Sequence, residues 1–199
     1  EEMDAAGIDL ALLSINVPAP DLAPDSKEAD GLARIANDSI AEAVSRHPDR
    51  FRGVGVLGYG EIEASCHEAE RCLDELNFVG IMVMAYIGGT RPLDDPPLEE
   101  IWKLLAARGI PLVLHPGATP GAEIYADYHL IHMVGWMYAE SMAAMRLILS
   151  GVMERNPDLK VLLPHAGATL PYLQGRIETL AVRFSDKHRI TQPVAYYFD

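Results

Sequence analysis

Two histidines, His115 and His165, each follow a short apolar run, in PLVLH and in KVLLPH. Each is followed at once by small, flexible residues, Pro116-Gly117 and Ala166-Gly167. Imidazole is the commonest protein ligand for Zn²⁺ and exchanges a proton near neutral pH, so the pair points to metal binding, acid–base catalysis, or both. Arg176 comes eleven residues after His165, in PYLQGRI. Its fork of donors suits a carboxylate, and the alternative is an ordinary helix-surface arginine. His47, His67 and His188 are expected to be solvated. His129 and His132 are spaced to share a helical face, but no third ligand and no His-Glu-x-x-His signature accompanies them. They are read as pocket lining or a subunit contact. Cys66 and Cys72 lack metal-type spacing and read as reduced thiols of a cytoplasmic protein. With no Gly-x-Ser-x-Gly elbow and no strand-end cysteine, covalent nucleophilic catalysis has little support.

Short apolar runs alternate with amphipathic helices along the chain. Strands are predicted at Leu10–Val17, Phe51–Leu57, Val79–Tyr86, Pro111–His115 and Lys160–Pro164. Helices are predicted at Leu32–Arg46, Glu61–Leu76, Leu98–Ala107, Met133–Arg155 and Pro171–Phe184, after a helix end at Glu1–Ala6. Gly88–Pro97, Pro116–Asp127 and His165–Ala168 read as loops. Each interval between strands accommodates a right-handed helical crossover, so the sheet is expected to be parallel. Neither a dinucleotide-binding glycine turn nor a P-loop follows any strand. Polar residues clustered just beyond the strands' carboxyl ends fit a (β/α)8 barrel with its chemistry on that face.

Composition sets the outer limits. The chain has 199 residues, 49% of them apolar, enough for a packed core. Sixteen basic against twenty-nine acidic residues give a net charge of −13, which argues against nucleic-acid and anionic-membrane partners. The longest nearly uninterrupted apolar run, Phe78–Gly89, is shorter than the roughly 20 residues a membrane helix needs. The Met- and Leu-rich stretch Trp136–Met153 reads as packing or subunit interface and favours a homodimer or homotetramer.

The segment Leu147–Ile177 (LILSGVMERNPDLKVLLPHAGATLPYLQGRI), preceded by PLVLHPG, resembles the amidohydrolase-related decarboxylases. These are the branch typified by 2-amino-3-carboxymuconate-6-semialdehyde and γ-resorcylate decarboxylases. AEAVSRHPDRF and LDELNFVG upstream fit the same family, so the resemblance covers nearly the whole chain. It implies a (β/α)8 barrel with one divalent metal, zinc or in some members manganese. It implies His115 as the metal ligand from the fifth strand and His165 as the catalytic histidine from the sixth. Arg176 would hold the carboxylate of a small substrate, in several relatives in the neighbouring subunit's site. The family's other ligands are a His-x-His or Glu-x-His pair on the first strand and an aspartate on the eighth, and this sequence shows neither. Residues 1–199 therefore read as a single, incomplete TIM-barrel domain holding strands two to six, without the first, seventh and eighth. Asp199 precedes the expected seventh strand and is not assigned as a ligand.

Two departures stand out. The family often has His-x-Gly-Gly where this chain has His165-Ala166-Gly167-Ala168, and Ala168 is costly if that position needs a positive φ. Ser14-Ile15-Asn16 offers no carboxylate-binding arginine at the end of the second strand. The expected activity is metal-dependent, non-oxidative decarboxylation of an unsaturated or aromatic carboxylic acid. The alternatives are hydrolysis of a lactone or amide by metal-activated water, or a truncated barrel that acts only with missing segments or a partner.

Overall fold

The computed structural model describes residues 2–117 and 119–198, so Glu1, Ala118 and Asp199 lie outside the described residues. The chain forms two compact units, one ending at Met82 and the other beginning at Val83.

The first unit contains α1 (Glu2–Ala5), β1 (Ala11–Leu13), α2 (Ser26–Arg46), β2 (Phe51–Val56), α3 (Ile62–Asp74) and the start of β3 (Gly80–Met84). β2 runs parallel to β1, with Ala11 opposite Phe51, and parallel to β3, with Val54 opposite Gly80. The predicted strand Leu10–Val17 shrinks to three residues, and it is not buried on both faces: Leu10 and Leu12 are exposed. β2 is its one strand partner among the described residues. Helix α2 starts at Ser26 rather than at Leu32, because the Asp25 carboxylate accepts from the Lys27 and Glu28 amides. Its inner face is Ala29, Ala33, Ala36, Asn37 and Ile40, small enough to bring the helix close to the strands. Asn37 is fully buried, donating to the Val56 carbonyl and the Glu68 carboxylate while accepting from the Val56 amide. It closes the end of β2 as a neighbouring strand would. Gly53 lets Phe78 lie directly on β2, since a Cβ there would come within 2.3 Å of the ring.

The second unit continues from β3 into the antiparallel pair β4 (Tyr86–Ile87) and β5 (Arg91–Pro92), turned by Gly88 and Gly89 at φ 58° and 73°. This hairpin occupies part of the predicted loop. Helix α4 (Glu99–Arg108) buries Ile101, Trp102 and Leu105, and Gly109 stops it at φ 62° as its type predicts. β6 (Leu112–His115) runs parallel to β7 (Val161–Leu162), with Leu112 opposite Val161. The single helix expected over Met133–Arg155 is instead three pieces. A π-helical turn (Ile131–Gly135) leads into α5 (Trp136–Leu149), and α6 (Val152–Arg155) follows Gly151 at φ 80°. After β7 come the single turn α7 (Pro164–Gly167) and α8 (Leu170–Arg183). Among the described residues no helix is long and apolar enough to cross a membrane.

Candidate active site

The site lies wholly in the second unit and is built from β6, α5 and the turn α7. β6 carries His115 as its last residue, and the amide of Ala85, just past β3, donates to the His115 carbonyl at 2.9 Å. That bond fixes the strand end and the origin of the side chain. The His115 ring turns Nδ1 toward the carbonyl of Pro116 at 2.6 Å. Nδ1 is therefore the protonated nitrogen, and Nε2 keeps its lone pair for a ligand role.

His165 sits in an unusual backbone. Pro164 enters the turn, then His165 (φ 51°, ψ 44°) and Ala166 (φ 54°, ψ 35°) adopt the left-handed conformation, and Gly167 and Ala168 also have positive φ. Three of these four residues carry a Cβ, where glycine is ordinarily preferred. Helix α5 supplies the compensation through two consecutive residues. The Glu140 carboxylate accepts from His165 Nδ1 at 2.9 and 3.1 Å, one distance to each oxygen. The Ser141 hydroxyl, 2.7 Å from that of Thr169, also accepts the Thr169 amide at 3.1 Å, just past the turn. So α5 holds the turn at its histidine and at its exit.

Glu140 is fully buried, whereas the His165 side chain is 41% exposed and makes no other hydrogen bond among the described residues. Burial raises the Glu140 carboxyl above its ordinary value, and the hydrogen bond from His165 opposes that rise. With Nδ1–H committed to Glu140, Nε2 is the nitrogen His165 offers outward.

Arg176 is placed differently. It is exposed on α8, and no hydrogen bond or ion pair joins its side chain to the described residues, the two histidines included. His129 and His132 have ring centroids 6.0 Å apart, and His132 packs edge-on against Trp136 at 4.5 Å. Among the described residues no group of three His, Cys, Asp or Glu side chains is poised to hold a metal ion. The methionines of the apolar stretch do not form its core. Met133 and Met142 are exposed, while Ala139, Ala143, Ala144, Leu147 and Ile148 line the inner face of α5. His188 is half-buried rather than solvated, with Nε2 at 3.1 Å from the Ala181 carbonyl. A cavity of about 790 Å³ touches the inner side of α5 at Ala144, Leu147 and Ile148, and none of His115, Glu140 or His165 lines it.

Sequence reasoning missed Glu140. Its signal was available: it is the one charged residue between Met133 and Met145, in a stretch otherwise built to be buried. A lone acid in such a place is paired or functional more often than it is idle.

An amidohydrolase family profile matches residues 2–185. Gamma-resorcylate decarboxylase of Rhizobium radiobacter is 36% identical over 185 residues, covering 88% of this chain and 57% of the relative. The 2-amino-3-carboxymuconate-6-semialdehyde decarboxylase of Dictyostelium discoideum is 33% identical over 89% of this chain and 49% of its own. Among solved structures, 2,6-dihydroxybenzoate decarboxylase from Rhizobium superposes with a TM-score of 0.90 at 30% identity, over 98% of this chain and 64% of that one. A 5-carboxyvanillate decarboxylase from Novosphingobium aromaticivorans, complexed with manganese and 4-hydroxy-3-methoxy-5-nitrobenzoic acid, gives 0.92 at 30% identity, over 98% and 58%. The chain spans between about half and two thirds of the length of these relatives.

Proposed function

The chain belongs to the amidohydrolase family, and from that membership and the geometry of the site we propose that the protein catalyses metal-dependent, non-oxidative decarboxylation of an unsaturated or aromatic carboxylic acid. The observation that supports the proposal is the hydrogen bond by which the buried Glu140 carboxylate holds the half-exposed His165 ring through Nδ1. It sits in a chain whose relatives are decarboxylases of aromatic acids.

His115 fits a metal ligand, because its Nδ1–H is spent on the Pro116 carbonyl and its Nε2 is left bare. It would be one ligand of a set, and among the described residues no group of three ligating side chains completes that set. The ion is Zn²⁺ or Mn²⁺. When bound, it supplies Lewis-acid polarisation of the substrate's carboxylate and a neighbouring oxygen. His165, held through Nδ1, acts in its imidazolium form: Nε2–H gives its proton to the substrate carbon that bears the carboxylate and leaves the neutral Nδ1–H imidazole. The carbon–carboxylate bond then breaks, CO₂ departs and the bond's electron pair restores the π system of the protonated substrate. Arg176, exposed and without a partner among the described residues, orients the carboxylate of substrate bound in a second copy of the chain. This implies a homodimer or homotetramer. Cys66 and Cys72 form no disulfide with each other, which suits a reducing compartment such as the cytoplasm.

The test is CO₂ release against ring opening on a panel of hydroxylated benzoates and lactones. The expected outcome is CO₂ from the benzoates and no lactone hydrolysis. In His165→Ala, assayed like the unaltered protein with Zn²⁺ or Mn²⁺ in excess, turnover should fall by about 10²–10⁴-fold. Lactone hydrolysis without CO₂ release, or full turnover in H165A, would overturn the assignment.

A further inference from the structure

We infer that Glu140 is the positioning residue of His165: its carboxylate fixes the tautomer and the strained orientation of the imidazole, so that Nε2 is the nitrogen delivered to substrate. The role of His165 here rests on the decarboxylase reading above, whereas the hydrogen-bonded pair is a property of the chain itself.

Three features support it independently. The contact is bifurcated, Nδ1 lying 2.9 Å from one carboxylate oxygen and 3.1 Å from the other, which restrains the ring in its own plane. Glu140 is fully buried, and His165 is its one hydrogen-bond partner among the described residues. A buried carboxylate with one partner directs all of its attraction there, because no water competes for it. Finally, the histidine it grips has a left-handed backbone at φ 51°, ψ 44°. A β-carbon in that region costs on the order of 1 kcal/mol, so the side chain needs an anchor to stay where it is. Ser141, the next residue on α5, anchors the other end of the same turn. A carboxylate on a helix is a firm support for a histidine on a loop, because the helix's own hydrogen bonds hold it in place.

Glu140 touches neither substrate nor reacting atoms in this scheme. Its removal should therefore lower the rate of the proton step while leaving substrate affinity intact. Glu140→Gln keeps the shape and an acceptor oxygen but removes the charge, and Glu140→Ala removes both. In E140Q we expect kcat to fall by about 10–100-fold, the range seen when the supporting partner of a functional histidine is lost, with KM essentially unchanged. The second readout is ¹⁵N–¹H NMR of the His165 ring. The protein should show Nδ1 protonated with a strongly downfield proton, and this resonance should move upfield in E140Q. In E140A the Nδ1–H form should lose its dominance. An unmoved Nδ1–H resonance in E140Q overturns the inference whatever the rate does, and so does an unchanged kcat in a folded E140Q protein. If the unaltered protein releases no CO₂ from any substrate, the decarboxylase reading fails, and the ring resonance alone still decides whether Glu140 holds His165.

Discussion

Ala168 occupies φ 54°, ψ −122°, a conformation in which a β-carbon crowds the flanking peptide groups and glycine does not. It closes the turn that begins at His165, and its amide donates back to the His165 carbonyl at 3.0 Å. The sequence expectation about this residue was conditional on a positive φ, and the structure meets the condition. His165 and Ala166 bear the same kind of strain, but His165 cannot be relieved without losing its imidazole. That is the usual location of tolerated strain, where a functional side chain must point in one direction. Ala168 has no such duty. Ala168→Gly should therefore raise stability by about 1 kcal/mol, the relief being partly offset by the greater freedom of glycine in the unfolded chain. Urea unfolding should show a higher midpoint with an unchanged slope. Gly151→Ala should do the opposite. Gly151 is at φ 80°, and a Cβ there would meet Arg155 Nη1 and the Cβ and carbonyl oxygen of Arg189 at 3.2 Å each. A loss of about 1–2 kcal/mol is expected, read by the same midpoint. Equal stabilities across both variants would show that the backbone relaxes around these positions.

The helices around the site are tied to each other by charged side chains whose strength depends on pH. Glu99, in the first turn of α4, accepts from Arg155 Nε and Nη2 on α6 at 3.2 and 2.7 Å, and from Asn156 at 2.8 Å. The Arg155 hydrogen bond, with help from Asn156 and against burial, holds the Glu99 carboxyl below its ordinary 4.5. A carboxyl lowered by folding contributes stability that is full above its unfolded value and disappears as pH falls through the lowered value. Glu99→Gln should thus cost about 1 kcal/mol at neutral pH, a figure kept small because Arg155 is half exposed. The stability curves of E99Q and the unaltered protein should converge as pH falls below 4.5. A constant gap at all pH values would mean that Glu99 acts through shape alone. At this scale much was legible in the sequence, because periodicity and stop signals are local: PLVLH is a strand ending on His115, and Gly109 stops α4. The break in the long helix was harder to read. Leu147 to Met153 keeps an apolar pattern across Ser150-Gly151, and only the left-handed φ of Gly151 divides it. The extended start of α2 was hidden because Asp25 caps a first turn that lacks apolar periodicity. Glu140 was overlooked for a related reason: its partner His165 lies twenty-five residues away, and no local pattern announces the pairing.

Over the whole molecule, the α/β fold read from the alternation of elements is that of the amidohydrolase-superfamily barrels, matched over 98% of the chain by solved decarboxylases. The metal chemistry of those relatives does not transfer as easily as the fold. The proposed ligand in this chain is His115 alone, and no cluster of three ligating side chains exists among the described residues. A zinc site normally takes four ligands and its affinity rises steeply as they are assembled, so one imidazole gives a weak complex. The net charge of −13 adds a diffuse attraction for any cation, which salt screens and a specific site resists. The 199-residue polypeptide, dialysed with Zn²⁺ or Mn²⁺ at high ionic strength and passed through a desalting column, should retain well under one equivalent. A chelator should leave its melting temperature unchanged, because an ion that scarcely binds the folded state cannot stabilise it. His115→Ala should remove whatever salt-resistant binding remains. Tight, stoichiometric retention that survives both high salt and H115A would place the metal on other residues and overturn His115 as this chain's ligand. Retention that survives salt but is lost in H115A would show instead that His115 belongs to a ligand set completed within these 199 residues.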